Sequence, residues 1–334
     1  MKCYFCLTAP STNNEMYLRL LELSIKSAIL NTSLSIIILY DGPDKGPCFS
    51  LLENYKNLYK NRITIQSHIF SHKRYLKNVY PVQYICNNLG SATDYNKISG
   101  AFMRLDIPFI ENEDQYVLYT DIDVYFNKDI ILENLPKPTY LAASSEFTKS
   151  AREMTYFNSG VLLLNTFNMK EKCNQIFSDL RKGNPNKIGL LDQGYLNQYC
   201  FKDFELLPIE YNWKPYWGIN TNAFIIHYHG VKPEGNYENS GFTMTEKTLL
   251  NIIKTNNEAI PGLIYYVSLY FEKLGLDGKS TLASFTSNLV RLCNNSLTMY
   301  NGHVSTAELK KIFTLYISEK VSKLVKGIIY SRPR

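Results

Sequence analysis

The sequence predicts an α/β fold, and three observations carry the prediction. The chain opens strand–helix–strand, a later apolar strand runs straight into paired carboxylates, and further strands then alternate with helices. Residues 3–7 are a short apolar run that reads as a buried strand. Residues 17–30 place Leu18, Leu21, Ile25 and Ile29 at helical spacing. Asn31-Thr32-Ser33 breaks that helix, and residues 34–40 (LSIIILY) are apolar and β-branched enough for a central strand. Asp41-Gly42-Pro43 turns the chain, and residues 62–70 alternate as another strand.

Residues 98–110 read as one helix, ended near Pro108. The strand at 116–119 leads into Thr120-Asp121-Ile122-Asp123. Strands follow at 140–144 and 156–165, helices at 169–181 and 189–199, and a last strand at 224–228. Beyond about residue 240 the chain reads as helical and without motifs.

Composition sets the class. With 45% hydrophobic and 20% charged residues over 334, the chain can bury a sizeable core, and disorder is not expected. The seven cysteines are scattered and imply no disulfide framework. Cys3 and Cys6 spell C-x-x-C, but residues three apart in a strand point to opposite faces, which defeats a redox pair or a shared metal. The first residues do not read as a signal peptide, and no run approaches the ~18 apolar residues of a spanning helix. A cytoplasmic protein is expected.

Most of the net charge of +6 lies at the end of the chain: seven basic residues face two acidic ones between 306 and 334. There Ile317, Val321, Leu324, Val325 and Ile328 recur at helical spacing. The stripe reads as packing on the domain. The terminal basic cluster reads as attraction to an anionic membrane, which would place the protein peripherally on the inner face. Basic residues elsewhere are not interleaved with a stacking platform, so no nucleic acid is expected.

Asp121 and Asp123 are the chemical centre. In an extended chain their side chains share a face, at the end of a buried strand where open sheets bind ligands. Two such carboxylates repel unless a cation lies between them, and a divalent ion there could bridge to a diphosphate. The pair alone is weak evidence. Asp121-Ile122-Asp123-Val124 also fits the opening motif of dehalogenase-type phosphatases, though that motif sits on a first strand and wants later acids.

Three further blocks decide between them. Phe157-Asn158-Ser159-Gly160 begins 34 residues after Asp123, and it is followed by Leu191-Asp192-Gln193-Gly194 and by His227-Tyr228-His229-Gly230-Val231-Lys232-Pro233. With Ser99–Leu105 ahead of the acidic strand, the ordered set resembles the family 8 glycosyltransferases, the glycogenin and lipopolysaccharide-galactosyltransferase type, over roughly residues 1–235.

The resemblance implies a GT-A (Rossmann-like, nucleotide-diphospho-sugar transferase) catalytic domain over 1–240, with 241–334 as a helical C-terminal extension. It also implies a retaining, metal-dependent hexosyltransferase that takes a nucleotide-sugar, a UDP-sugar, to a glycan or glycolipid acceptor. Asp121, Asp123 and His227 would hold manganese (or magnesium). His229, two residues on, offers a second imidazole; the spacing to Gly230 favours His227. Thr8, Ala9, Asn14, Arg104, Asp121, Ile122, Gly230 and Lys232 would contact the donor. Asn158, Asp192 and Gln193 would form the catalytic sugar pocket, with Gln193 beside the anomeric carbon. The chain departs from the pattern in two places. Leu7-Thr8-Ala9-Pro10 replaces an Asp usual at the nucleotide base, and no Trp follows Pro233.

Several residues have a plain alternative reading. Asp192 could cap a helix, Asn158 could form a turn, and Trp213 and Trp217 could be either an acceptor platform or core. At the level of the whole chain, the alternatives are a dehalogenase-type phosphatase and a non-catalytic sugar- or lipid-binding protein.

Overall fold

The computed structural model describes residues 1–8, 15–81, 95–188, 191–234 and 246–276. Ala9, Asn14, the 240/241 boundary and the basic tail lie outside the described residues.

In chain order, β1 (Lys2–Thr8) leads to α1 (Glu15–Asn31), β2 (Ser35–Asp41), α2 (Pro47–Leu58) and β3 (Ile63–Ser67). Then come α3 (Leu76–Val79), α4 (Tyr95–Phe102), α5 (Ile107–Ile110), β4 (Tyr116–Thr120) and β5 (Val124–Phe126). They are followed by β6 (Leu141–Ser145), β7 (Phe157–Asn165), α6 (Thr166–Lys182), α7 (Leu191–Cys200), β8 (Glu205–Leu206) and β9 (Ile225–His227). Two more helices, α8 (Glu246–Thr255) and α9 (Ala259–Leu274), end the described chain.

The helix expected over 98–110 is broken by a 3-10 turn at Met103–Asp106. Pro108 is the reason. It has no N–H and crowds the preceding turn of a helix interior, yet it fits the first turn of the new helix α5.

The seven-stranded sheet has the order β3-β2-β1-β4-β7-β6-β8. Neighbours from β3 to β4 run parallel, whereas β7 is antiparallel to both β4 and β6. From β1 the chain moves outward to β2 and β3 on one side, and β4 then takes the other. The crevice beyond the carboxyl ends of β1 and β4 is therefore the topological switch point, where open α/β sheets bind ligands. Thr8 ends one of these strands and Thr120 the other, so Asp121 enters the crevice directly.

Alternation along β1 builds both faces of the core. Cys3, Phe5 and Leu7 pack with Leu21 and Ile25 of α1, while Tyr4 and Cys6 pack with Phe102 of α4 and Met169 and Ile176 of α6. Cys3 and Cys6 are thus on opposite faces, buried and unpaired. A third cluster joins residues 213–231 to α9. A Cβ on Gly262 would lie 2.2 Å from the Pro215 carbonyl oxygen, so only glycine allows α9 this approach. Trp213 and Trp217 belong to this cluster and are 7% and 2% exposed. Their indole N–H groups donate to the Gly218 and Phe147 carbonyls. They are core residues, not an acceptor platform.

Candidate active site and metal centre

The backbone around Asp121–Asp123 is held from three sides. Asp121 N donates to Gly160 O at 2.8 Å, carrying the β4–β7 ladder one residue past the strand. From α1, Ser24 Oγ lies 2.7 Å from Val124 O and accepts from Val124 N, and Ser27 Oγ accepts from Phe126 N at 3.0 Å. On the third side β5 pairs with β9, with Val124 opposite His227, and Tyr228 N donates to Asp123 O at 2.9 Å. That ladder is what brings His227 to the acidic turn.

Asp121, Asp123 and His227 each offer one ligand atom, all within 4.8 Å of one another. His227 Nδ1 is 2.9 Å from Asn212 Oδ1, so Nδ1 carries the proton and Nε2 faces Asp123 Oδ1 at 3.4 Å. Asp121 Oδ1 accepts from Tyr119 Oη at 2.6 Å and from Arg104 at 2.9 Å. Burial alone would favour a neutral Asp123. The Lys232 ammonium in contact with it, and His227, reverse this and hold its pKa well below the usual carboxylate range. Two carboxylates and an oriented imidazole fit a divalent cation that accepts mixed oxygen and nitrogen ligands.

Beside this group lies a polar network. Arg104 bridges it, with Nε 3.1 Å from Asp192 Oδ2, Nη1 on Ser159 and the guanidinium 4.3 Å over the Tyr119 ring. Asp121 and Asp192 outweigh the cost of burying this cation. Asp192 is pushed up to about 6 by burial, which the neighbouring Arg104 opposes. Gln193 Oε1 accepts from Ser159 N at 2.8 Å, and Gln193 Nε2 donates to Glu146 Oε2 at 3.1 Å. Asn158 Nδ2 donates to the same Glu146 oxygen at 2.8 Å, and Asn158 Oδ1 accepts from Asn212 Nδ2 at 3.0 Å. An unbroken hydrogen-bonded path therefore runs from His227 through Asn212, Asn158 and Glu146 to Gln193.

The remaining expected residues take their places around it. Thr8 is buried at the end of β1. Ile122 packs into the core by its side chain, and its carbonyl meets Ser24 Oγ. Gly230 has φ 76, the left-handed region that favours glycine. Lys232 touches both Asp123 and, at 2.9 Å, Tyr228 O. Leu191, at φ 52, begins α7, and Asp192 and Gln193 follow it in the first turn. That conformation costs a non-glycine residue on the order of 1 kcal/mol, and it aims the first turn of α7 at Arg104 and Ser159. His229 stands outside the metal group: Nε2 meets Glu146 Oε1 at 3.0 Å and Nδ1 meets Tyr216 Oη at 2.8 Å.

The sequence profile of Glycosyl transferase family 8 matches residues 11–233, well over half of the chain. This chain belongs to glycosyl transferase family 8. It is a glycosyltransferase, an enzyme that binds a sugar donor and an acceptor, and the phosphatase and non-catalytic readings give way. Among solved structures, glycosyltransferase GlyE of Streptococcus pneumoniae TIGR4 is similar at a TM-score of 0.53 and 19% identity, covering 86% of this chain and 64% of GlyE. The galactosyltransferase LgtC, in complex with donor and acceptor sugar analogs, aligns at a TM-score of 0.48 and 18% identity, covering 71% of this chain and 90% of LgtC. The fold is the GT-A type. No curated protein matches the sequence.

In this family 8 enzyme, sequence reasoning missed four residues that support the site. Glu146 is held at about 2: burial would raise it, but His229, Lys214 and Asn158 prevail. Its position was a usable signal, because it follows the carboxyl end of β6 as Asp121 follows β4. Asn212, Lys214 and Ser24 gave no such signal. Each is an ordinary polar residue whose partner is distant in sequence.

Proposed function

We propose that this family 8 enzyme is a retaining, metal-dependent hexosyltransferase that moves a hexose from a nucleotide-sugar, a UDP-sugar, to a glycan or glycolipid acceptor. One observation carries the reading: Asp121, Asp123 and His227 converge at the β1/β4 switch point, one guanidinium away from Asp192.

In this reading Asp121, Asp123 and His227 hold Mn2+ (or Mg2+), the imidazole favouring manganese. When bound, the ion supplies positive charge to a diphosphate leaving group. Lys232 adds a mobile point charge to the same diphosphate, and Gly230 lets the backbone approach it. Arg104 lies between donor phosphates and sugar. Thr8, Ala9 and Asn14 are further donor contacts that the family pattern implies. Asp192 accepts hydrogen bonds from sugar hydroxyls, Asn158 lines the pocket, and Gln193 stands beside the anomeric carbon. Glu146 fixes both carboxamides by taking their N–H groups, so their oxygens keep one orientation. Retention follows if the acceptor hydroxyl attacks from the face the phosphate leaves, its proton passing to that phosphate. No side chain is then required as nucleophile.

Among the described residues no helix is long and apolar enough to cross a membrane. We place the enzyme in the cytoplasm, with its basic tail against an anionic inner membrane face.

The test is donor hydrolysis across a panel of nucleotide-sugars, with and without manganese, on wild type and Asp123→Ala. Metal-dependent release of a nucleoside diphosphate from one donor, lost in the variant, supports the reading. Equal release by both proteins refutes the metal assignment.

A further inference from the structure

Glu234 follows Lys232 by two residues, and its carboxylate is gripped from two helices. Arg19 of α1 approaches with Nε at 2.8 Å and Nη2 at 2.5 Å. The Tyr270 hydroxyl of α9 donates to the same oxygen that takes Arg19 Nε. Arg19 is itself steadied by Glu15 one turn earlier, at 3.0 Å. The Glu234 side chain is only 13% exposed, so this pair is less screened than an ordinary surface pair. On the other flank of Lys232, Val231 is buried in the cluster that contains Tyr270 and Leu263. The segment bearing Lys232 is therefore pinned on both sides, by apolar burial at Val231 and by charge at Glu234. Nothing in the metal group or the sugar-side network requires an acid at position 234.

We propose that Glu234 is a positioning residue for donor binding: its carboxylate, held by Arg19 and Tyr270, locks the Lys232 segment between α1 and α9. The proposal rests on the reading of Lys232 as a diphosphate contact. Lys232 now touches Asp123, and it can pass to a diphosphate by side-chain rotation alone if its backbone stays fixed. A loosened segment would lose ordering entropy at every binding event, and affinity would fall.

The test is calorimetric titration with whichever of UDP, GDP or ADP the wild type binds most tightly in the presence of manganese. Wild type, Lys232→Met, Glu234→Ala and Glu234→Gln are compared, with each variant's thermal midpoint and its affinity for manganese alone. Glu234→Ala is expected to bind the nucleotide about tenfold more weakly. Glu234→Gln keeps one oxygen for both Arg19 Nε and Tyr270 but sets its amide against the Arg19 Nη2 donor, and should recover part of that loss. Manganese affinity should be no weaker than wild type in both Glu234 variants, since a loosened Lys232 competes less for Asp123. If Glu234→Ala does not fold, Arg19→Met and Tyr270→Phe each release one grip and carry the same expectation.

Weakened binding in Lys232→Met with wild-type binding in Glu234→Ala overturns the positioning role and leaves the donor reading standing. Wild-type binding in both variants overturns the reading of Lys232 and the proposal with it, as does a wild type that binds none of the three nucleotides. A parallel loss of manganese and nucleotide affinity in Glu234→Ala also overturns it, because that marks general loosening.

Discussion

Gly160 and His227 are packed so closely that a Cβ on the glycine would lie 2.2 Å from the imidazole Cε1 and 2.9 Å from Asp121 Oδ2. The absent side chain is what leaves room for the imidazole over β7. Gly160→Ala must therefore displace a member of the metal group while the buried strand around it stays intact. Turnover should fall about 100-fold, as for comparable misplacements in other enzymes, with manganese affinity falling alongside. Unchanged manganese affinity in a folded Gly160→Ala protein would contradict the geometry.

Asn212 sets which imidazole nitrogen is free. Its carboxamide oxygen takes His227 Nδ1–H, and its amide donates to Asn158. Asn212→Ala removes both bonds, and manganese affinity should drop about 10- to 100-fold, the usual cost of losing a support behind a metal ligand. Asn212→Asp keeps an acceptor for Nδ1–H and should be the milder change. Manganese titrations of the two variants decide whether the orientation matters.

Lys232 and a metal ion compete for Asp123, since the ammonium already touches the carboxylate a cation would use. Lys232→Met should bind manganese alone more tightly than wild type, yet bind a nucleoside diphosphate more weakly. Opposite signs in one variant are the signature, measured by titrating each ligand separately. Weaker binding of both would mean that Lys232 only supports the fold.

Legibility in the sequence tracked locality. β1, α1, β2 and β4 were readable because each is a contiguous apolar run or a periodic stripe whose pattern reflects burial directly. The acidic pair was readable because its two carboxylates are neighbours in the chain. Ser24, Glu146, Asn212 and Lys214 were not, because each acquires meaning only from a partner that the topology supplies: the turn at Val124, Gln193, His227 and the Ser145 carbonyl. Trp213 and Trp217 were ambiguous because aromatic residues suit a sugar and a core equally. Packing against α9 settles them as core.

Lys214 gives a pH signature of its own. It is fully buried, with Nζ 2.7 Å from Ser145 O and 4.3 Å over the Trp217 ring. Burial pushes its pKa from 10.5 down to about 7, against the opposing pull of Glu146. Between those values the unfolded chain holds a proton that the folded chain releases. The stability contributed is full above 10.5 and is lost as pH falls to about 7. The unfolding free energy of wild type relative to Lys214→Met should therefore rise with pH across this window, by at most about 1.4 kcal/mol per pH unit. Denaturant titrations at a series of pH values check it, and a flat difference contradicts it.

The most direct test of the central claim is a manganese titration followed by electron paramagnetic resonance on wild type, Asp123→Ala and His227→Ala. One saturable site per wild-type chain is expected, tightened by a nucleoside diphosphate and lost in both variants. A site of equal affinity in all three proteins, or none in the wild type, would contradict the assignment of Asp121, Asp123 and His227 as the metal centre.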